Sequence, residues 1–97
     1  MPTYIIMSKW TPQGLQNIKQ SPSRLDAGRK AYETLGVKMT SFFMTTGQYD
    51  MVAIVEASDD ATLAKAILST ASQGALTTET CRAFTEDEYR EIISGLP

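Results

Sequence analysis

The sequence predicts an α+β domain in which a four-stranded antiparallel sheet carries two long helices on one face and a further helix follows at the C-terminus. Three observations predict it. Strand-like and helix-like runs alternate along the chain, proline, glycine and capping residues mark their boundaries, and 42% of the 97 residues are apolar. That is enough for one domain over residues 1–97 and leaves no room for a second. A chain of this length buries only about 60–65% of its unfolded surface, so oligomerisation is a natural supplement to its stability.

Thr3 to Trp10 (TYIIMSKW) is rich in β-branched and aromatic residues and reads as the first strand. Thr11-Pro12 ends it, with Thr11 as a cap and proline at the first position of a short helical turn. Ser21-Pro22 repeats that signal and opens a longer helix, in which Leu25, Gly28, Tyr32 and Leu35 recur at helical spacing until Gly36. Val37 to Thr45 and Tyr49 to Ala57 are strand-like runs joined through Thr46-Gly47-Gln48, a hairpin connection. Ser58-Asp59-Asp60 places a cap and acids at a helix start, Leu63, Ala64, Ile67, Leu68 and Ala71 keep one face apolar, and Gly74 stops the run. Ala75 to Phe84 is extended and threonine-rich, and Thr85 with Glu88 forms a capping-box pattern opening the last helix up to Gly95.

The resulting order, β-α-β-β-α-β plus a C-terminal helix, is the ferredoxin-like plan. Right-handed crossovers then give the spatial strand order 4-1-3-2 with both long helices on one face. A sheet with one wet face should alternate apolar and polar residues. The first strand instead carries Tyr4, Ile6, Ser8 and Trp10 on one side and Thr3, Ile5, Met7 and Lys9 on the other. The third carries Tyr49, Met51, Ala53 and Val55 against Asp50, Val52, Ile54 and Glu56. Both central strands are apolar twice over. A patch of several hundred Å2 left in water forgoes on the order of 10 kcal/mol of burial at about 25 cal/mol per Å2. A second copy of the same sheet would cover it, giving a homodimer through sheet faces or a higher oligomer built from one; the C-terminal helix folding back is the alternative cover.

Eleven acids against nine scattered bases leave a net charge of −2, so nucleic acid is not an expected partner. With no histidine and a single cysteine, His-dependent triads, zincin sites and intrachain disulfides are excluded. Cys81 lacks a CxxC mate and is expected to be a buried, inert thiol. Apolar stretches are short and no leader pattern is present, so a soluble cytoplasmic protein without membrane contact is expected. Gly14 and Gly28 make no phosphate-binding loop, and no cofactor is expected.

Several short motifs follow one another over nearly the whole chain. They are Lys9-Trp10-Thr11 with Gln13-Gly14-Leu15, then Gly47-Gln48-Tyr49-Asp50, Glu56-Ala57, Asp59-Asp60 and Gly74, and finally Thr78-Glu79-Thr80 with Arg82-Ala83. In that order and spacing the chain resembles the GYD-domain family, which is similar in plan to the dimeric α/β-barrel superfamily. The resemblance implies fold and dimerisation, and it carries no catalytic residue onto this sequence.

The antiparallel order gathers Trp10, Tyr49, Asp50, Thr77 and Thr78 at one end of the sheet, where Trp10 and Tyr49 are candidates for an aromatic wall with Asp50 and Thr78 as polar groups. The competing expectation is that Tyr49 and Asp50 serve the hairpin and the strand pair. The other end gathers Tyr4, Glu56 and Arg82, with Glu56 and Arg82 expected as an ion pair across the first strand. Of the five methionines, Met7, Met39, Met44 and Met51 lie in strands and suit either an interface or an irregular apolar ligand.

Two functions from different classes follow. The first is a binding module for a small apolar or aromatic molecule in a sheet-covered cavity, lined by Trp10, Phe43, Tyr49 and Met51, with Asp50, Thr78 or Arg82 as polar contacts. The second, by analogy with dimeric α/β barrels, is a cofactor-independent monooxygenase or isomerase. There Asp50 or Glu56 would abstract a proton and Arg82 or Tyr49 would stabilise the oxyanion. A purely structural or assembly role is the remaining alternative.

Overall fold

Two successive corners of the chain set the architecture, and both are held by side chains that cap helices. In the computed structural model, which describes residues 1–97, β1 (Thr3–Trp10) runs into α1 (Pro12–Gln16), a single 3-10 turn (Ile18–Gln20) and α2 (Ser21–Thr34). β2 (Lys38–Met44) and β3 (Met51–Glu56) follow, then α3 (Asp60–Ala71), β4 (Leu76–Ala83) and α4 (Glu86–Ser94). The sheet is antiparallel in the order β2-β3-β1-β4, which read from the opposite edge is the expected 4-1-3-2.

At the first corner Thr11 caps α1 by accepting the Gly14 N–H at 3.1 Å, while its own N–H and hydroxyl donate to Ala75 O at 3.0 Å and Gly74 O at 2.6 Å. Gly74 stands at φ +81°, left-handed backbone that glycine adopts without strain, and so turns the α3–β4 connection back onto Thr11. Asp59 caps α3 through the Thr62 N–H at 2.8 Å. Thr85 and Glu88 form the full capping box of α4. α2 departs from expectation. Ser21 is its first helical residue rather than its cap, because the 3-10 turn before it already brings the chain into helical geometry.

The helix-covered face of the sheet carries the core: Tyr4, Ile6, Ala53 and Val55 pack under Tyr32 of α2 and Leu63 and Ala66 of α3, beside Val37. α3 therefore turns Leu63, Ala66 and Ile67 inward, whereas Leu68, expected on that face, is 68% exposed. Tyr4 donates its hydroxyl to Asp60 at 2.5 Å, tying the start of α3 to the sheet. That bond, then burial, raises the phenol above its ordinary pKa. The β2–β3 connection is longer than a three-residue hairpin. Thr45 bonds Asp50 O through its N–H and Tyr49 O through its hydroxyl, so Tyr49 and Asp50 belong to the loop and β3 begins at Met51. β2 also breaks register between Met39 and Ser41, so that Met39 and Phe42 both face the core and Phe43 faces away.

The opposite face, with Ile5, Met7, Val52, Ile54 and Phe43, is covered by nothing in the chain. α4 does not fold back over it: Tyr89, Ile92, Ile93 and Leu96 are about half or more exposed. Cys81 lies on this face opposite Ile5 and is exposed, which corrects the expectation of a buried thiol.

Two predictions follow from the caps. The backbone N–H of Thr62 holds the Asp59 carboxyl below its ordinary pKa, and that of Thr85 does the same for Glu88. Depressed carboxylates stabilise the fold above their unfolded pKa, and that contribution is lost as pH falls through the ordinary carboxylate range and below. Tm measured against pH should fall on that acid side, with a shallower fall in Asp59→Asn. Separately, a Cβ on Gly14 would overlap the Ala75 carbonyl oxygen, so Gly14→Ala should lower stability by about 1–3 kcal/mol in urea unfolding.

Candidate functional site

Because α2 and α3 both cross the inner face, the gap between them opens onto the end of the sheet where β1, β3 and β4 meet. A cavity of about 100 Å3 lies there. Its sheet wall is Ile6, Ser8 and Trp10 of β1 with Met51 and Ala53 of β3 and Thr78 of β4. Its helical walls come from Leu25, Gly28 and Tyr32 of α2 and Thr70 and Gln73 of α3 and the turn after it. The room exists because α2 turns a glycine inward: a Cβ on Gly28 would meet nothing within 4 Å. One hydrogen bond spans the two helices, from Thr70 Oγ1 to the Tyr32 hydroxyl at 3.3 Å, and burial raises the Tyr32 phenol above its ordinary pKa.

The lining is mainly apolar, with polar groups at defined places. Ser8 and Thr78 stand opposite each other across the β1–β4 pairing, and Ser8 is only 8% exposed. Trp10 Nε1 is buried and has no hydrogen-bond partner. A buried N–H without an acceptor costs about 1–3 kcal/mol. Arg24, on the first turns of α2, lies where the cavity meets the surface; its guanidinium donates to Asn17 O at 3.0 Å and Gly14 O at 3.5 Å.

Of the residues singled out in sequence, Trp10, Met51 and Thr78 line this cavity. Tyr49 does not join Trp10. It lies on the opposite, open face, where its hydroxyl donates to Glu79 and Lys9 Nζ stands 5.7 Å from its ring centre. Strand alternation does not extend to Tyr49, because β3 starts two residues later. The bond to Glu79 raises the Tyr49 phenol above its ordinary pKa. Phe43 is also on the open face, 57% exposed, because of the irregularity in β2. Asp50 accepts the Trp10 backbone N–H at 3.0 Å from outside the cavity.

Arg82 stands at the far end of the sheet. It stacks 5.7 Å from the Tyr4 ring centre and 4.4 Å from that of Phe84 and pairs with Glu88 at 3.8 Å. The expected pair with Glu56 is absent, since Glu56 faces Thr3 and Lys38 on the other side of the sheet. Neither Asp50 nor Glu56 lines the cavity, so it holds no carboxylate base. Arg24, Ser8 and Gly28 were missed as site residues. The spacing of Leu25, Gly28 and Tyr32 did carry a signal, since a glycine on the inward face of a helix leaves space opposite it.

The GYD domain model matches residues 4–93. The chain belongs to the GYD domain family. A relative from Thermus thermophilus, the "Glutamine synthetase and cystathionine beta-lyase binding protein", is 36% identical over 84 residues, which is 86% of this chain and 88% of that protein. The crystal structure of TTHA0845, also from Thermus thermophilus, superposes with a TM-score of 0.57 at 24% identity, covering 88% of this chain and 95% of that one, a likeness of fold. Of the GYD motifs, Lys9-Trp10-Thr11, Gly14 and Gly74 build the corner at one end of the cavity. Gly47-Gln48-Tyr49-Asp50 forms the loop whose aspartate secures the end of β1. No helix is long and apolar enough to cross a membrane.

Asp50→Ala should lower stability by about 1–2 kcal/mol, because it frees the Trp10 N–H in a half-buried place. Thermal melting checks this; a variant that melts like the parent chain would assign Asp50 to a role other than structure.

Proposed function

We propose that this chain is a homodimeric, non-catalytic binding module that takes a small apolar or aromatic molecule into the cavity between its sheet and helices. The observation that carries the reading is the mainly apolar cavity of about 100 Å3 between sheet and helices, with Trp10 among its lining residues. An apolar group placed there gains burial at about 25 cal/mol per Å2. The cavity supplies binding groups and no acid–base pair, which argues for binding over proton abstraction.

Dimerisation is supported by the open face. Ile5, Met7, Val52, Ile54 and Phe43 form an apolar centre with Lys9, Glu79, Glu56 and Lys38 around it, the composition of an interface core with a polar rim. A copy related by a two-fold axis presents the same surface and covers it. The name of the Thermus relative, a binding protein for two enzymes, favours a second reading, in which a protein partner docks on this module. The two are compatible, since a dimer joined by its sheets leaves its helices and α4 outward.

Light scattering at micromolar concentration should give a dimer mass, and a monomer mass would overturn the sheet-face reading. Ile54→Lys should dissociate the dimer. Met51→Lys should instead unfold the chain, because Met51 is 6% exposed beneath the helices. Trp10, the single tryptophan, should report binding of an aromatic or fatty surrogate by a fluorescence shift unaffected by chelator. No shift with any such compound, together with native mass spectra free of small molecules, would leave the protein-docking reading in its place.

A further inference from the structure

Outside the helices a polar surface groove adjoins the cavity. The groove, about 380 Å3, is lined by Gln13, Asn17, Gln20 and Ser23 and shares Arg24, Gln73 and Ala75 with the cavity. The shared residues place the two side by side, one mainly apolar and the other polar, with Arg24 lining both.

Arg24 brings a full positive charge to that junction, and both groups it touches are neutral carbonyl oxygens. The ion pairs of the chain, Arg82–Glu88 and Arg90–Glu86, lie elsewhere. A guanidinium that shares no carboxylate keeps donors free for an anion, and its planar fork matches a carboxylate best. Apart from Ala75 the other groove residues carry amides and a hydroxyl, so the site supplies one cation for one negative charge.

The inner volume limits the remainder of the ligand. A dry cavity of about 150 Å3 holds benzene, so one of about 100 Å3 takes a branched aliphatic group, or a single ring once the soft Met39 and Met51 side chains yield. We infer that the site takes a small amphipathic monocarboxylate, its aliphatic or single-ring tail in the cavity beside Trp10 and its carboxylate on Arg24. This rests on the cavity being a small-molecule site, and it adds the ligand's charge, size and direction of insertion.

The probes are 3-phenylpropanoate and its uncharged amide, 3-phenylpropanamide, titrated by calorimetry and Trp10 fluorescence against the intact chain. The acid should bind about tenfold or more tightly than the amide, that being the loss expected from one charged hydrogen-bonded contact. Arg24→Gln should remove that difference by weakening the acid alone. Gly28→Leu, which places a side chain in the open space of the cavity, should abolish binding of both, with circular dichroism confirming that each variant is folded. Equal affinity for acid and amide, unchanged in Arg24→Gln, would overturn the carboxylate assignment while the cavity reading stands. Binding of both probes that survives Gly28→Leu, or binding of neither to the folded parent chain, would overturn the cavity reading itself.

Discussion

Thr11 places every polar group it has on one junction. Its N–H and hydroxyl hold Ala75 and Gly74, its hydroxyl oxygen accepts from Gly14, and its carbonyl accepts the Leu15 N–H. Thr11 and Gly74 are 63 residues apart in sequence, so this contact fixes where the first helical corner stands relative to the last strand. Trp10 precedes Thr11 and Gln73 precedes Gly74; the end of the cavity is therefore positioned by the same bonds that cap a five-residue helix. A valine there would keep the shape and lose both hydroxyl bonds at once, the one to Gly74 and the one from Gly14.

The two helices are secured unevenly across the inner face. At one end Tyr4 holds the start of α3 through Asp60, and Val37, Val55 and Ala66 fill the space between the layers. Toward the other end Gly28, Ser8 and Thr78 stand among the larger Trp10, Met51 and Leu25, and the Thr70–Tyr32 bond is long. Close packing gives way to a cavity without any break in secondary structure. The division of the sheet into a packed half and a hollow half is thus a matter of side-chain volume.

Much of this was legible in the chain. The strand order, the caps at Thr11 and Thr85 and a helix start at Ser58-Asp59-Asp60 are legible there, whereas the expected cap at Ser21 is not, because the 3-10 turn before it is already helical. Trp10, Met51 and Thr78 reach the cavity because β1, β3 and β4 keep strict alternation where those residues stand. Tyr49 lies elsewhere because alternation does not carry across the loop before β3, and Phe43 because Thr40 is left out of the β2 ladder, an irregularity without a composition signature. Arg82 and Glu56 were paired by proximity along the sheet without regard to which side each faces. Arg24 carried no signal of its own, since an arginine early in a helix looks like any solvated cation until the groove beside it is seen.

The extra residue in β2 has a wider meaning. Thr40 lies between Met39 and Ser41 where the pairing slips, and its hydroxyl donates to Ile54 O at 3.1 Å. It decides which of two adjacent phenylalanines is turned inward. Drawing Thr40 into the ladder opposite Ile54, with Met39 held on Val55, would restore regular pleating, carry Phe43 inward opposite Met51 and expel Phe42, altering the cavity's outer margin and the open face in one step. An edge strand tolerates such a change more readily than a central one, having a single neighbour to satisfy. This sheet thus has a short route to a differently shaped interior, through the loss of one bulge on an edge strand, with every other strand left in register.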